Sequence, residues 1–541
     1  MPFPRPLPLI HSIRYSHATN SSSTHSLVWL PTPQGDDDVS NREFGWSYWT
    51  AGSREAKRDY CWICLEEWVQ NGPMAQSANL HSLGDLLGLK YDADQTKQIS
   101  ELYSQQVKLT TSLIAGYSPS EEGGYVDHQS RLSFPLNRNG WVSPSFYRWF
   151  IEQTADDDHV VFLGGNDNDD QSHGLGMNGE AVYADQGIVR ESTGMFVRDD
   201  VSYWTLWSKG SGDLIRVGKV KGGEAPKKGV VPDLIDVKIT DQCNFKSPGN
   251  NGQTCTFCYQ GSTPQGKHAD FSHLRSILTG LEKLGVIEIA LGGGEPTEHP
   301  HFAQILKEAG EKGMTVNVTT RNLDGLFGNL LPTFLDHVNG IGLSIDSADD
   351  VRGIHARYAL LSQDHRFNLR NKIQFHVVLG TMPSEAFWEI MEAVATSIGW
   401  DYASPFAITL LGYKAVGRGA TVAHGKPPFP YDGKALVADM AAWRKAEVLT
   451  ELVPSYRRTR VSIGVDAALL AEVGAEAFTA VGIDPKTLVG REGAFSCYVD
   501  AVALKAAPSS YCRKDQFVSI STGKSYDAFD VEAFKKAWAS W

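Results

Sequence analysis

The chain has 541 residues, 42% hydrophobic and 21% charged, with a formal net charge of -13; that length exceeds one ordinary core and suits about two to four domains. The acidic balance argues against a broad electrostatic grip on nucleic acid, which rests on clustered Lys and Arg. Seven cysteines are too few, and odd in number, for a disulfide scaffold, and they point to metal or redox chemistry in a reducing compartment.

The opening stretch MPFPRPLPLIHSIRYSH is broken by prolines and has no continuous apolar segment, so it does not read as a signal peptide. No apolar run approaches the roughly 18 residues that cross a bilayer. A cytoplasmic protein without membrane contact is the expectation. Residues 1–220 are rich in aromatics and acidic loops and read as a mixed α+β accessory domain that binds or covers substrate; within them 181–209 reads as short strands and turns. NDNDDQSHG (166–174) has the look of a calcium loop, but Asn178 stands where a bidentate Glu is wanted, so it reads as a solvated loop. GKVKGGEAPKKGVVP (218–232) has the composition of a linker.

From Asp233 strands and helices alternate. LIDVKIT (234–240) is a strand, and SHLRSILTGLEKLG places Leu274, Ile277, Leu278, Leu281 and Leu284 at helical spacing before Gly285. VIEIALGGG (286–294) is a buried strand, followed by a helix from His301 that His299 and His301 are expected to cap. MTVNVTT (314–320), GIGLSID (340–346), KIQFHVVLG (372–380) and FAITLLG (406–412) complete six strands. The pattern predicts a parallel α/β partial barrel over 233–420, whose reactive groups gather at the carboxyl ends of its strands. Residues 421–541 follow as a C-terminal extension.

ITDQCNFKSPGNNGQTCTFCYQG (239–261) leaves the first strand and carries Cys243, Cys255 and Cys258. Two chemistries suit it. CxxC is half of a zinc ribbon, which needs a second pair from Cys61/Cys64 or Cys497/Cys512 and implies a non-catalytic interaction protein. Alternatively, three thiolates hold a 4Fe–4S cluster and leave one iron open to a substrate or cofactor. The glycine run at 292–294 has a purpose only in the second account.

The succession of strand, cysteine loop with Phe257 before the last Cys, helix, and strand ending LGGGEP (291–296) resembles the radical S-adenosylmethionine (radical SAM) superfamily over about residues 233–420. The resemblance implies a radical SAM partial (β/α)6 barrel between the two flanking regions. It assigns Cys243, Cys255 and Cys258 to a 4Fe–4S cluster whose unique iron is chelated by S-adenosyl-L-methionine. Gly292, Gly293, Gly294, Glu295 and Pro296 fall where the family brings backbone to the methionyl amino group, an approach that residues without side chains permit. Phe257 would flank the adenine. Thr320 and Asn322, on either side of Arg321, and Ser344 and Asp346 fall where the family places polar contacts to ribose or carboxylate, and Arg418 becomes a candidate for the cofactor carboxylate. The spacing here is C-x11-C-x2-C rather than the family's usual C-x3-C-x2-C; the extra turn formers are expected to loop out.

The implied chemistry is reductive cleavage of S-adenosylmethionine to a 5′-deoxyadenosyl radical, which takes a hydrogen atom from substrate. An electron donor such as flavodoxin or ferredoxin is required. A peptide or protein is the expected substrate and a nucleotide-derived or other small metabolite the alternative; a peptide-modifying enzyme should have a short partner gene beside its own. Cys497 and Cys512 are candidate hydrogen-atom donors. Together with Cys61 and Cys64 they could hold a second metal, either an auxiliary cluster or zinc, and the bland alternative is four inert thiols.

Overall fold

The computed structural model describes residues 10–14, 42–44, 49–51, 53–71, 124–126, 144–153, 162–164, 195–209, 212, 214–219, 226–245, 255–369, 372–396, 406–449, 463–481, 493–524 and 528–541. Two compact units result: Met1–Ile10, Leu27–Ser208 and Arg216–Glu224 form one, and His11–Ser26, Lys209–Ile215 and Ala225–Trp541 the other. In the first unit, Met195–Asp199 pairs antiparallel with Tyr203–Ser208, and Tyr203, Trp204 and Trp207 are buried. The helix Arg54–Asn71 buries Cys61 and Cys64, and Tyr147 Oη donates to the Cys61 carbonyl at 2.7 Å. The NDNDDQSHG loop and residues 181–194 lie outside the described residues.

The second unit is organised by one sheet. Its strands are β1 (Leu234–Thr240), β2 (Glu288–Gly293), β3 (Thr315–Thr320), β4 (Gly340–Ser344), β5 (Ile373–Val378), β6 (Phe406–Leu411), β7 (Ile463–Val465), β8 (Ser496–Asp500), β9 (Lys505–Ala507) and β10 (Val518–Ser519), lying side by side in the order 7-6-5-4-3-2-1-8-9-10. All six predicted strands are present and pair in parallel. The region after residue 420 extends both ends of this sheet: β7 pairs parallel with β6 and β8 pairs parallel with β1, before β9 and β10 turn antiparallel. The sheet stays open, the partial barrel expected of the sequence.

Alternation within the strands decides what each face does, because successive side chains point to opposite sides. On β1, Ile235, Val237 and Ile239 are at most 1% exposed and join one apolar cluster with the helices α1 (Phe271–Leu284) and α2 (Phe302–Glu311). The other face of the same strands carries Lys238 and Thr240, then Glu288, Asn317, His376 and Thr409, all buried. A parallel sheet covered by helices on both sides reads as continuous apolar runs. Here one face does not, and that polar face is left for chemistry.

Local signals set the helix limits. Asp270 caps α1, accepting from the Ser272 and His273 amides at 2.8 and 3.4 Å, and Gly285 ends it at φ 81°, where a residue with a Cβ would be strained. The expected histidine cap of α2 is corrected. His301 sits at the N-cap position without a side-chain capping bond, while His299 Nδ1 accepts the His301 amide at 3.1 Å and Nε2 lies 3.0 Å from the Ala269 carbonyl.

The final helix α3 (Val531–Ser540) packs Phe534 and Trp538 into the same apolar cluster, and Trp538 Nε1 donates to the Gly229 carbonyl at 3.1 Å. Phe534 is 1% exposed. Phe534→Ala is expected to destabilise the second unit by about 3–5 kcal/mol, read as a lower urea midpoint; an unchanged midpoint would show that the tail is not part of this cooperative unit.

Candidate active site

The cysteine loop begins where β1 ends and is pinned at its base. Asp241 N–H donates to the Lys267 carbonyl at 2.7 Å and Cys243 N–H to the Thr263 carbonyl at 3.0 Å, so the chain returns beside itself. Residues 246–254, most of the long insertion, lie outside the described residues. Cys258 N–H reaches the Cys255 carbonyl at 3.3 Å and Gly261 N–H the Cys258 carbonyl at 3.1 Å, a double turn around CxxC. Cys243, Cys255 and Cys258 all line one cavity with Phe257 and Gly292–Gly294. Burial pushes the Cys243 thiol up to about 12. Burial also raises Cys255, against the opposing pull of Arg321; ligation of a metal would have to displace these protons.

The glycine run is where β2 meets that loop. Gly294 N–H donates to the Thr240 carbonyl at 2.7 Å and Glu295 N–H to the Gln242 carbonyl at 2.8 Å. A Cβ on Gly294 would lie 1.9 Å from the Gln242 oxygen, and one on Gly293 (φ 116°) would lie 2.3 Å from the Thr240 oxygen. Only glycine permits this contact. Glu295 is 2% exposed, and desolvation raises its pKa. Its Oε1 accepts from Thr320 Oγ1 at 2.6 Å and Thr297 Oγ1 at 2.7 Å, and its Oε2 from the Arg321 amide at 3.0 Å. Glu295 therefore brackets the ends of β2 and β3. Pro296 is buried as the first residue of the 3-10 turn Pro296–Glu298.

Further strand ends complete the wall. Thr320, Ser344 and Asp346 line the cavity, and Arg321 pairs with Asp346 while its Nη1 lies 3.2 Å from Cys255 Sγ. Asn322 turns away to cap the short helix Leu323–Leu326, accepting the Gly325 amide at 2.8 Å. His376, Tyr413 and Lys414 also line the cavity. Lys414 Nζ lies 3.5 Å from Asp466 Oδ2 and 4.9 Å from the ring centres of both Tyr259 and Tyr511. Burial, reinforced by the Lys414 charge, drives His376 down to about 3, so its imidazole is neutral at ordinary pH.

Residues 237–392 match the family model of the radical SAM superfamily. The chain carries a radical SAM domain. Among curated proteins it resembles GTP 3′,8-cyclase of Chlorobaculum tepidum, 30% identical over 122 residues (22% of this chain, 34% of that protein). It also resembles PqqA peptide cyclase of Ruegeria pomeroyi, 27% identical over 125 residues (23% and 30%). The matched stretch thus spans about a third of these relatives' length. Among solved structures, Streptococcus suis SuiB bound to S-adenosylmethionine aligns with TM-score 0.37 and 14% identity over 52% of this chain and 61% of that one. AnSMEcpe with bound AdoMet aligns with TM-score 0.36 and 12% identity over 56% and 80%.

Cys243, Cys255 and Cys258 line one cavity of this radical SAM domain, a donor set that suits a 4Fe–4S cluster with one iron left open. Among the described residues no group of three or more His, Cys, Asp or Glu side chains is gathered for one metal ion. Arg418, Asn322, Cys497 and Cys512 are not among the residues that line the cavity. Arg418 lies behind the cysteine loop, its Nε donating to the Cys255 carbonyl at 2.9 Å and Nη1 to the Ser262 carbonyl at 2.6 Å; it clasps the loop, and the cavity wall does not include it. Cys497 is 2% exposed within the helix-side apolar cluster, on the face of β8 away from the site, so a hydrogen-atom donor there has no access. Cys512 is half-buried and outside the cavity wall. Cys61 and Cys64 belong to the first compact unit and Cys497 and Cys512 to the second.

The sequence reading passed over His376 and Lys414. The signal was a histidine at an alternate position of KIQFHVV, on the polar face, and a lysine just past the end of β6.

Gly294→Val is expected to break the splice of β2 to the cysteine loop, with at least a tenfold loss of bound iron and little change in far-UV circular dichroism; normal iron uptake would refute the steric argument. His376 is depressed below its ordinary 6.5, so its contribution to stability is present above about pH 6.5 and is lost as pH falls toward 3. In the apoprotein, His376→Gln should flatten the acid limb of the stability-pH profile, measured as urea midpoints from pH 7 to 4.

Proposed function

We propose that this chain is a radical SAM enzyme acting on a peptide, with Cys243, Cys255 and Cys258 holding a 4Fe–4S cluster. The observation that carries the reading is the meeting of three thiols and a side-chain-free strand end in one cavity at the carboxyl edge of a parallel sheet. Once bound, a cluster and S-adenosylmethionine would supply one-electron radical chemistry for taking a hydrogen atom from substrate. The protein's own part is positional. The bare backbone of Gly292–Gly294 gives the methionyl end of the cofactor a close approach, Phe257 offers a face to the adenine, and Ser344 offers a hydroxyl to the ribose. The neutral His376 and the flanked Lys414 ammonium face the same space, where they orient a substrate and exclude water.

The peptide assignment is supported by the relative named PqqA peptide cyclase. A nucleotide substrate is the second reading, supported by the relatives named GTP 3′,8-cyclase. A low-potential flavodoxin or ferredoxin would supply the electron. The test is anaerobic reconstitution with iron, sulfide, reductant and S-adenosylmethionine. The expected result is about four irons per chain and formation of 5′-deoxyadenosine that Cys255→Ala reduces by at least a hundredfold. Zinc uptake without cleavage would overturn the enzyme reading. Deuterium transfer into 5′-deoxyadenosine from a labelled peptide encoded beside the gene, and not from labelled GTP, would establish the substrate class; the reverse would install the nucleotide.

A further inference from the structure

The three thiols do not share one environment. The Cys243 thiol is raised mainly by burial, with the backbone near Phe245 opposing that rise. Cys255 takes a charged donor, Arg321 Nη1, at 3.2 Å. Among the described residues no side-chain donor is placed on Cys258. Arg321 is fixed from both ends: its own amide donates to Glu295 Oε2 at 3.0 Å and its Nη2 pairs with Asp346. Asp346 is in turn held by its amide, which donates to Asp350 Oδ2 at 2.8 Å, and Asp350 belongs to the capping box with Ser347 that begins the helix Ala348–Ala359. The Arg321 and Asp346 side chains are only 18% and 21% exposed, so their charges are weakly screened.

Reduction adds one electron from a low-potential donor to the cluster, with no bond made or broken and no proton taken up. The cluster's charge becomes more negative by one. Hydrogen bonds to a ligating sulfur and a nearby cation favour that more negative state, and a nearby carboxylate opposes it. We propose that the Arg321–Asp346 pair sets the reduction potential of the cluster: the Arg321 guanidinium on Cys255 favours the reduced form, and Asp346 tempers it. The inference rests on the cluster assignment above. It makes Arg321 a tuning residue that acts through a ligand, and it gives Asp346 a second partner besides any contact with the cofactor.

The experiment is a redox titration followed by electron paramagnetic resonance, on the full chain reconstituted anaerobically without S-adenosylmethionine. Wild type, Arg321→Gln, Arg321→Lys and Asp346→Asn are compared, with iron counted in each. All are expected to hold about four irons. Arg321→Gln should shift the midpoint to more negative potential, Asp346→Asn to more positive potential, and Arg321→Lys should fall between wild type and Arg321→Gln. Full iron with unmoved midpoints, or with the Gln and Asn variants shifted the same way, overturns the inference. If Arg321→Gln assembles no cluster, Asp346→Asn decides alone: a positive shift supports the pair's role and its absence rejects it. A wild-type chain that takes up no iron overturns the cluster assignment itself, an outcome the iron count separates from a failed potential shift.

Discussion

Two backbone hydrogen bonds, from Gly294 to Thr240 and from Glu295 to Gln242, hold the site together. They join the end of one strand to the loop leaving its neighbour, at an approach that a side chain on Gly293 or Gly294 would block. Once that contact exists, the Glu295 carboxylate is carried under β3 and gathers Thr320 and the Arg321 amide. The Arg321 guanidinium is thereby delivered to Cys255. Each polar group is placed by the one before it, and the glycines begin the sequence.

The sheet supports this arrangement by treating its two faces differently. Helices α1 and α2 pack on one side, where Ile235, Ile289, Val316, Ile341 and Phe375 are at most 1% exposed. Burial there is non-directional and tolerant of detail. The opposite side buries charged and polar groups, each of which costs free energy unless partnered. Lys238 illustrates the solution: it is 8% exposed, and it pairs with Asp241 on the cysteine loop and with Asp500 on β8 at 3.1 Å.

Most of the core was legible in the sequence. Six strands were readable as apolar runs bounded by turns, and α1 from the spacing of Leu274, Ile277, Leu278 and Leu281. The thiols and the glycine run were legible for a different reason, since their chemistry admits few uses at that spacing. What escaped depends on contacts between distant segments. Arg418 follows a strand end like other site residues, yet its Nε and Nη1 donate to loop carbonyls some 160 positions earlier. Cys497 looked available for radical chemistry, but its position on β8 turns it to the helix side. β7 and β8 themselves were hidden because three to five residues of ordinary composition carry no periodic signature; only their pairing partners make them strands.

The place of β8 also has a consequence for how the chain is made. Lys238 and Asp500 are neighbours although 262 residues separate them, so β1 keeps one unpaired edge until β8 has been made. An open strand edge invites association with other chains, and long-range pairing is slow to form. During synthesis that edge belongs to the strand from which the three thiols emerge. The edge beside the cysteine loop is therefore closed by β8, which is made long after that loop.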